Sequence, residues 1–159
     1  MEVRFAEVRD SPGMIALLQQ VGDVHHRIRP DIFRAGAQKY DENALLAILE
    51  DPTKPIFVAV DGETVAGYCF CVLRDYRGSS TQTDRMELYI DDLCVDETCR
   101  GSGVATALYR HVTDYAKGLG CAFISLNVWC GNDSAMKFYE KMGLTPRHIM
   151  LEMALEESC

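Results

Sequence analysis

The most constraining feature of this chain is an apolar strand pattern that leads through a glycine turn into a helix. The strand pattern covers residues 85–95, and the turn reads Arg100-Gly101-Ser102-Gly103. From Val104 onward apolar residues recur at helical spacing, so a helix begins directly after the turn. Two closely spaced glycines let backbone N–H groups point into one concavity above the positive end of the helix dipole. The stretch predicts an anion site suited to a pyrophosphate.

The turn excludes two common phosphate-binding folds. Val104 follows it where a P-loop phosphotransferase would have lysine, and the three-glycine dinucleotide fingerprint is incomplete. A second interpretation stays open, because the same glycines also make room in a tight connection between a strand and a helix.

Periodicity along the rest of the chain predicts one α/β domain over residues 1–159, with a mixed central sheet flanked by helices. Asp61-Gly62 predicts a hairpin between two strands. The predicted strands cover residues 3–8, 56–60, 64–73, 85–95, 122–129 and 148–155. The predicted helices begin at Asp10 or Ser11, near Leu45, at Val104, and at Asn132 or Asp133.

Composition argues against several classes of function. The net charge of −8 gives no broad attraction to nucleic acid or anionic lipid. No apolar run approaches the ~18 residues of a membrane span, and the charged, alternating start is unlike a signal peptide. The seven cysteines form no Cys-x-x-Cys pair, and His25 and His26 are adjacent rather than spaced as metal ligands. We expect a cytoplasmic protein without a metal, nucleic-acid or membrane partner.

Two motifs together carry a family resemblance. The turn matches Arg/Gln-x-x-Gly-x-Gly/Ala, and a helix pattern Asn-x-x-Ala-x-x-Phe-Tyr-x-x-x-Gly is filled by Asn132, Ala135, Phe138, Tyr139 and Gly143. On these residues the chain resembles the GNAT family of acyl-CoA N-acetyltransferases. The motifs and their spacing cover residues 85–144, while the first half agrees only in the order of its elements. In one departure, residues 143–147 run almost directly into the last predicted strand, so the usual final hairpin is short or missing.

The resemblance implies a GNAT-like fold and acetyl transfer from acetyl-CoA, without a metal, to a primary amine in a direct ternary complex. The pantetheine arm would pair with strand residues Leu93 to Val95, where the N–H of Cys94 would face the thioester oxygen. The turn and the helix start would cradle the pyrophosphate, and Asn132 would bond the pantetheine arm or stabilise its helix. The implied cofactor-binding residues are Leu93, Cys94, Val95, Arg100, Gly101, Ser102, Gly103, Val104, Ala105, Thr106 and Asn132.

Two side chains are candidates for proton transfer. Tyr139 is the candidate general acid for the leaving thiolate, although its place on an apolar helix face also suits a core aromatic. For the base we choose Asp91, with Glu87, Asp92 or a water as alternatives. Glu87 and Asp91 share one face of a regular strand and Asp92 the other, but a bulge would shift this register. Cys94 in an apolar strand favours packing over nucleophilic attack.

The acceptor is the least defined part. A small amine or amino acid derivative competes with a protein N-terminus or lysine, and the acceptor surface is expected from residues 25–40 and 76–83. Arg29 in the first segment could meet an acceptor carboxylate. The resemblance also allows a homodimer. The competing hypothesis is a non-catalytic CoA-binding domain that serves as a sensor or assembly subunit.

Overall fold

Five strands form one sheet, in the order β1-β2-β3-β4-β5, in a computed structural model that describes residues 1–156. The first four strands are antiparallel neighbours, whereas β5 runs parallel to β4. The strands are β1 Glu2–Phe5, β2 Ile56–Asp61, β3 Thr64–Asp75, β4 Met86–Val95 and β5 Phe123–Leu126.

Helices cover both faces of the sheet because successive strand side chains point to opposite sides. On one face, Val58 and Tyr68 pack with side chains of the first two helices. On the other face, Phe57 and Cys69 pack with the third helix, and the fourth helix lies against the same cluster. The helices are α1 Ser11–Ile28, α2 Glu42–Leu49, α3 Val104–Gly118 and α4 Asp133–Lys141. The predicted α/β class with a mixed, helix-flanked sheet is confirmed.

The first helix begins differently from the simple cap that its sequence suggests. Asp10 occupies the N-cap position of α1, but its side chain makes no capping hydrogen bond. Its buried carboxylate instead accepts two hydrogen bonds from the Arg4 guanidinium, at 2.8 and 2.9 Å. The backbone N–H of Glu7 donates a third, at 2.7 Å. The aspartate therefore ties β1 to the start of α1.

A β-bulge interrupts β4 at its centre. The register with β3 passes from Phe70↔Asp92 to Cys71↔Ile90, so Asp91 is the extra residue. A bulge bends its strand and turns the extra side chain out of the regular alternation. Asp91 and Asp92 consequently do not follow the parity of an ideal strand.

Three predicted strands differ from the structure by more than two residues. The first, predicted over residues 3–8, is observed at Glu2–Phe5, and Val8 begins a 3-10 helical turn instead. β5 is limited to Phe123–Leu126, shorter than the predicted 122–129. The predicted last strand over residues 148–155 is wrong for the described part of the chain, where that segment is paired with no strand. The segment has the alternating pattern of a half-buried strand, but residues 1–156 contain no strand edge that hydrogen-bonds to it. None of the helices in residues 1–156 is long and apolar enough to cross a membrane.

Candidate active site

A slot opens in the sheet between the second half of β4 and the chain that follows β5. The parallel pairing of these strands extends only from Glu87↔Phe123 to Ile90↔Leu126. Beyond Ile90, the second half of β4 from Asp92 to Val95 pairs with β3 and, within the described residues, with no other strand. One edge of this part of β4 therefore presents backbone hydrogen-bonding groups without a strand neighbour.

The register decides which amides face the slot. The N–H of Asp96 donates to the carbonyl of Ala66 directly opposite, at 2.8 Å. Because hydrogen-bonded pairs alternate along an antiparallel ladder, the N–H of Cys94 also points toward β3. The expectation that this N–H faces a thioester oxygen is therefore wrong. The N–H groups of Leu93 and Val95 face the slot instead.

The glycine turn lies at the same end of β4 and opens α3. Gly101 and Gly103 have φ angles of 78° and 88°, in the left-handed region that favours glycine. Gly103 is the N-cap residue and has no side chain to occupy the free N–H groups of the first helical turn. The space where a Cβ at either glycine would lie is open, and the first turn carries no acidic residue. An anion can approach these backbone donors directly.

Tyr139 lies on α4 and turns its ring into the cluster beneath the sheet face that α3 covers. Its ring contacts Phe138 and Tyr109, with centroids 5.2 and 6.5 Å away. Burial raises the pKa of Tyr139 above its ordinary value, so the phenol stays protonated at neutral pH. Among the residues that the structure describes, none forms a hydrogen bond to its hydroxyl. The side chain thus combines a core position with an uncommitted proton donor.

Asp91 faces the segment that follows α1. The hydroxyl of Tyr40 donates to its carboxylate at 2.5 Å, and the Lys39 ammonium lies 3.0 Å from the same oxygen. The Asp91 side chain is 19% exposed, so solvent or a small molecule reaches it. Residues 25–40, expected to supply acceptor surface, do reach the bulge.

The Asp92 carboxylate binds a side chain of the cluster that α1 and α2 cover, the same cluster against which Tyr40, the partner of Asp91, packs. The hydroxyl of Tyr68 donates to its carboxylate at 2.8 Å. Burial raises the pKa of Asp92 to about 6, and the neighbouring charge of Asp91 also raises it. Two adjacent carboxylates with different environments therefore lie beside the slot.

Glu87 is held at the other end of β4. It is 1% exposed and accepts hydrogen bonds from Arg85 at 2.8 Å and Arg147 at 3.0 Å. Although burial opposes ionisation, these two guanidinium groups lower the pKa of Glu87. A carboxylate held in this way is a poor proton acceptor. The loop over residues 76–83, the second expected acceptor segment, lies at this end, where the Arg85 guanidinium stacks on Tyr76.

Three other sequence candidates have structural partners. The side chain of Asn132 caps α4 by accepting from the N–H of Ala135 at 3.4 Å. Burial raises the pKa of Cys94 to about 12, which keeps the thiol protonated and disfavours a nucleophilic role. Arg29 is ion-paired with Asp31 at 2.7 Å and with Glu152, so it is already occupied by carboxylates of its own chain.

Within residues 1–156 no group of three or more His, Cys, Asp or Glu side chains is arranged to hold a metal ion. Lys39, Tyr40 and Tyr68 are site residues that sequence reasoning did not single out. The hydrogen bond from Tyr40 to Asp91 joins positions 51 residues apart, and no local pattern marks such a contact.

The family of this chain follows from its match to known proteins. The model of the Acetyltransferase (GNAT) family matches residues 22–144, which include β4, the glycine turn and α4. The chain belongs to the GNAT family of acetyltransferases. This assignment confirms the resemblance seen in the two motifs and the class of enzyme expected from it, an acyl-CoA-dependent N-acyltransferase.

Individual GNAT relatives resemble the chain to different extents. A crystal structure of a mutant of the BH1408 protein from Bacillus halodurans has a TM-score of 0.93 and 30% identity, covering 98% of this chain and all of that one. The thialysine N-epsilon-acetyltransferase of Mus musculus is 27% identical over 142 residues, which are 89% of this chain and 81% of the relative. The N-alpha-acetyltransferase 30 of Schizosaccharomyces pombe is 33% identical over 87 residues, 55% of each chain. The chain thus spans about half the length of that relative.

Proposed function

We propose that this protein, as a single domain over residues 1–159, transfers the acetyl group of acetyl-CoA to a primary amine in a direct ternary complex. One observation carries the proposal: the open edge of β4 leads directly to the glycine turn, with Tyr139 on one side and Asp91 on the other. Acetyl transfer from a thioester needs these parts together, because the acyl donor must be held close to the amine.

The residues present fit acetyl-CoA, which supplies an activated acyl group as its thioester. The outward N–H groups of Leu93 and Val95 would hold the pantetheine arm and polarise the carbonyl, while Cys94 continues the strand between them. The backbone of the turn and the first helical turn would bind the pyrophosphate, with the Arg100 side chain exposed beside them. This second group comprises Arg100, Gly101, Ser102, Gly103, Val104, Ala105 and Thr106. The carbonyl of Asn132 is engaged in capping α4, so its amide NH₂ is the part available to the pantetheine arm.

Two side chains are proposed to move protons. Tyr139 would donate its phenolic proton to the departing thiolate, a role supported by its protonated state and by a hydroxyl without a hydrogen-bond partner among residues 1–156. Asp91 would take the proton of the acceptor amine, directly or through a water. Its exposure favours it over Glu87, which is buried between two arginines. Asp92, with its raised pKa, is the alternative base.

The chain itself supports a cationic amine as the acceptor. The Lys39 ammonium is a primary amine, and it lies 3.0 Å from the Asp91 carboxylate. A substrate amine can occupy the same kind of position, and Asp92 adds negative charge nearby when it is ionised. The mouse relative, named for an amino acid derivative, matches 89% of the chain, against 55% for the N-alpha-acetyltransferase. We therefore favour a small amine or amino acid derivative over a protein N-terminus or lysine. A cytoplasmic setting suits the six free cysteines among residues 1–156.

A thiol-release assay with acetyl-CoA over a panel of amines, polyamines, amino acids and peptides tests this function. We expect turnover with at least one small cationic amine and a saturable dependence on acetyl-CoA. Calorimetry with CoA distinguishes the enzyme from the competing hypothesis of a non-catalytic domain. A sensor or assembly subunit would bind CoA but release no thiol with any amine. Failure to bind CoA would reject both.

A further inference from the structure

Lys39 places a primary amine of the chain itself at the proposed base. Its ammonium nitrogen lies 3.0 Å from a carboxylate oxygen of Asp91 and also donates to the backbone carbonyl of Asp91, at 3.4 Å. The lysine side chain is 44% exposed, so a molecule bound in the slot can approach it. An amine beside a carboxylate that can take its proton is the arrangement that acetyl transfer requires of an acceptor.

The chain on either side of Lys39 is held against the protein. The Gln38 side chain accepts a hydrogen bond from Gln19 of α1 at 3.2 Å and donates one to the carbonyl of Tyr40 at 2.6 Å. The Tyr40 ring packs on Phe70 of β3, with the two centroids 5.4 Å apart. These contacts fix the backbone at position 39 beside the sheet, while the four-carbon stem of a lysine remains flexible.

The proposed acyl site is close to the Lys39 amine. The N–H of Leu93, which would polarise the thioester carbonyl, lies two residues after Asp91 on β4. Two residues of a strand span at most about 7 Å, and a flexible lysine stem can move its nitrogen over part of that distance. Because the amine belongs to the same chain, its delivery needs no separate binding step.

The other lysines provide a contrast. Among the salt bridges within residues 1–156, only the one made by Lys39 joins a lysine to the proposed base. Lys54 is similarly exposed, at 47%, and pairs with Asp51 at 4.0 Å. Its neighbour Thr53 accepts a backbone hydrogen bond from Leu73, at the end of β3 that pairs with the start of β4 and lies away from the slot. The remaining lysines lie on α3 and α4: Lys117, Lys137 and Lys141.

We propose that this protein acetylates its own Lys39, which is thereby a modification site. The inference rests on the proposed function and adds an intramolecular acceptor to it. Asp91 takes one proton from the ammonium and passes it to solvent, and the neutral amine attacks the thioester carbonyl. The carbon–sulfur bond breaks, the leaving thiolate takes the proton of Tyr139, which solvent replaces, and the amine gives its second proton to Asp91. The net reaction converts the ammonium and acetyl-CoA into an amide, the CoA thiol and one proton released to solvent.

Mass spectrometry of the intact chain, incubated with acetyl-CoA and no added amine, tests the proposal. We expect one acetyl group per chain, located at Lys39 by peptide mapping. Lys39→Arg keeps the positive charge without an amine that can be acetylated, so it should gain none, whereas the matched variant Lys54→Arg should still gain one. In the parent, Lys39 should react about 100-fold faster than Lys54, and Asp91→Asn should remove that advantage, because general-base help has this size. Calorimetry with CoA checks that each variant is folded.

Protein concentration distinguishes transfer within one chain from transfer between copies. The first-order rate constant for Lys39 should stay the same when the protein is diluted. A rate constant that falls on dilution would overturn the proposal, as would equal rates at Lys39 and Lys54. The same samples are assayed for thiol release with added amines. Thiol release while Lys39 stays unmodified would reject self-acetylation and leave the proposed function intact, whereas the absence of both would reject the two together.

Discussion

The hydroxyl of Tyr68 on β3 donates a 2.8 Å hydrogen bond to the carboxylate of Asp92 on β4, within the sheet face that α1 and α2 cover. The bond favours the ionised carboxylate, yet burial outweighs it and raises the pKa of Asp92 from 3.8 to about 6. A side chain beside the proposed acceptor site therefore changes its charge just below neutral pH.

The first prediction follows from this raised pKa. Between about pH 4 and pH 6 the folded protein binds more protons at Asp92 than the unfolded chain does, so this group lowers stability as the pH rises. Asp92→Asn keeps a hydrogen-bond acceptor and removes the charge. We expect a higher Tm than the parent at pH 7 and an equal Tm below pH 4, measured by calorimetry. The exposed control Asp61→Asn should change the Tm at neither pH; an equal Tm for Asp92→Asn at pH 7 would contradict the raised pKa.

The second prediction concerns the hydroxyl of Tyr139. Tyr139→Phe keeps the ring contacts with Phe138 and Tyr109 and removes only the proposed proton donor. General-acid help is typically worth ~10²–10⁴ in rate, so kcat should fall by that factor while CoA affinity and Tm stay nearly level. The matched control is Tyr109→Phe, which removes the hydroxyl of a neighbouring tyrosine on α3. A kcat of Tyr139→Phe within about threefold of the parent, where chemistry limits turnover, would leave this tyrosine a purely structural role.

The third prediction tests the base. Asp91→Asn should lower kcat by ~10²-fold or more, because the variant cannot take the proton of the amine. Glu87→Gln is the comparison: it should mainly destabilise the fold, since Arg85 and Arg147 lose a buried partner. Stopped-flow or steady-state rates with the best amine, together with Tm values, separate the two effects. Normal turnover by Asp91→Asn, together with a large loss of kcat in Asp92→Asn, would identify Asp92 as the base instead.

The fourth prediction places CoA at the glycine turn. Gly103→Glu puts a carboxylate where the pyrophosphate would approach and should weaken CoA binding at least tenfold by calorimetry. The variant also strains a backbone with φ +88°. Gly78→Glu is a matched control, because Gly78 has φ +80°, equally open space at its Cβ, and a position far along the chain from the turn. Equal CoA affinity in Gly103→Glu and Gly78→Glu would show that the assigned site is wrong.

The fifth prediction concerns the bond between β1 and α1. Despite burial, hydrogen bonds from Arg4 and from the Glu7 amide lower the pKa of Asp10 below 3.8. The contribution of ionised Asp10 to the free energy of unfolding is therefore fully present above pH 3.8, and it is lost as the pH falls through the lower pKa of the folded state. Asp10→Asn should reduce the free energy of unfolding by about 3 kcal/mol at pH 7 and by much less in strong acid. Urea titrations check this, with Arg9→Gln, at an exposed ion pair, expected within about 0.5 kcal/mol of the parent.

Local chemistry explains which parts of the fold were predictable. Asp61-Gly62 specifies its hairpin because Gly62 adopts φ +60°, and the glycine turn specifies the start of α3 in the same way. Alternation and helical spacing located most of the elements, since those patterns depend on which face of each segment is buried.

Register and long-range contacts explain what the sequence did not reveal. The outward direction of the Leu93 and Val95 amides depends on how β4 pairs with β3, and the bulge at Asp91 changes the parity of the carboxylates. The contact between Tyr40 and Asp91 depends on where a loop returns to the sheet. Residues 148–155 have a strand pattern, but a pattern does not identify the strand that will pair with it.

The slot in the sheet has a consequence for how this protein tolerates mutation. Its hydrogen-bonding groups at Leu93 and Val95 belong to the main chain, while the side chains of both residues pack on the cluster beneath the sheet. Replacing either residue by another apolar residue is limited by how the new side chain packs in the interior, and it leaves the outward amides unchanged. A different apolar side chain at either position can therefore leave unchanged what the slot binds, so the identity of these two residues does not mark the place where the acyl group would be held.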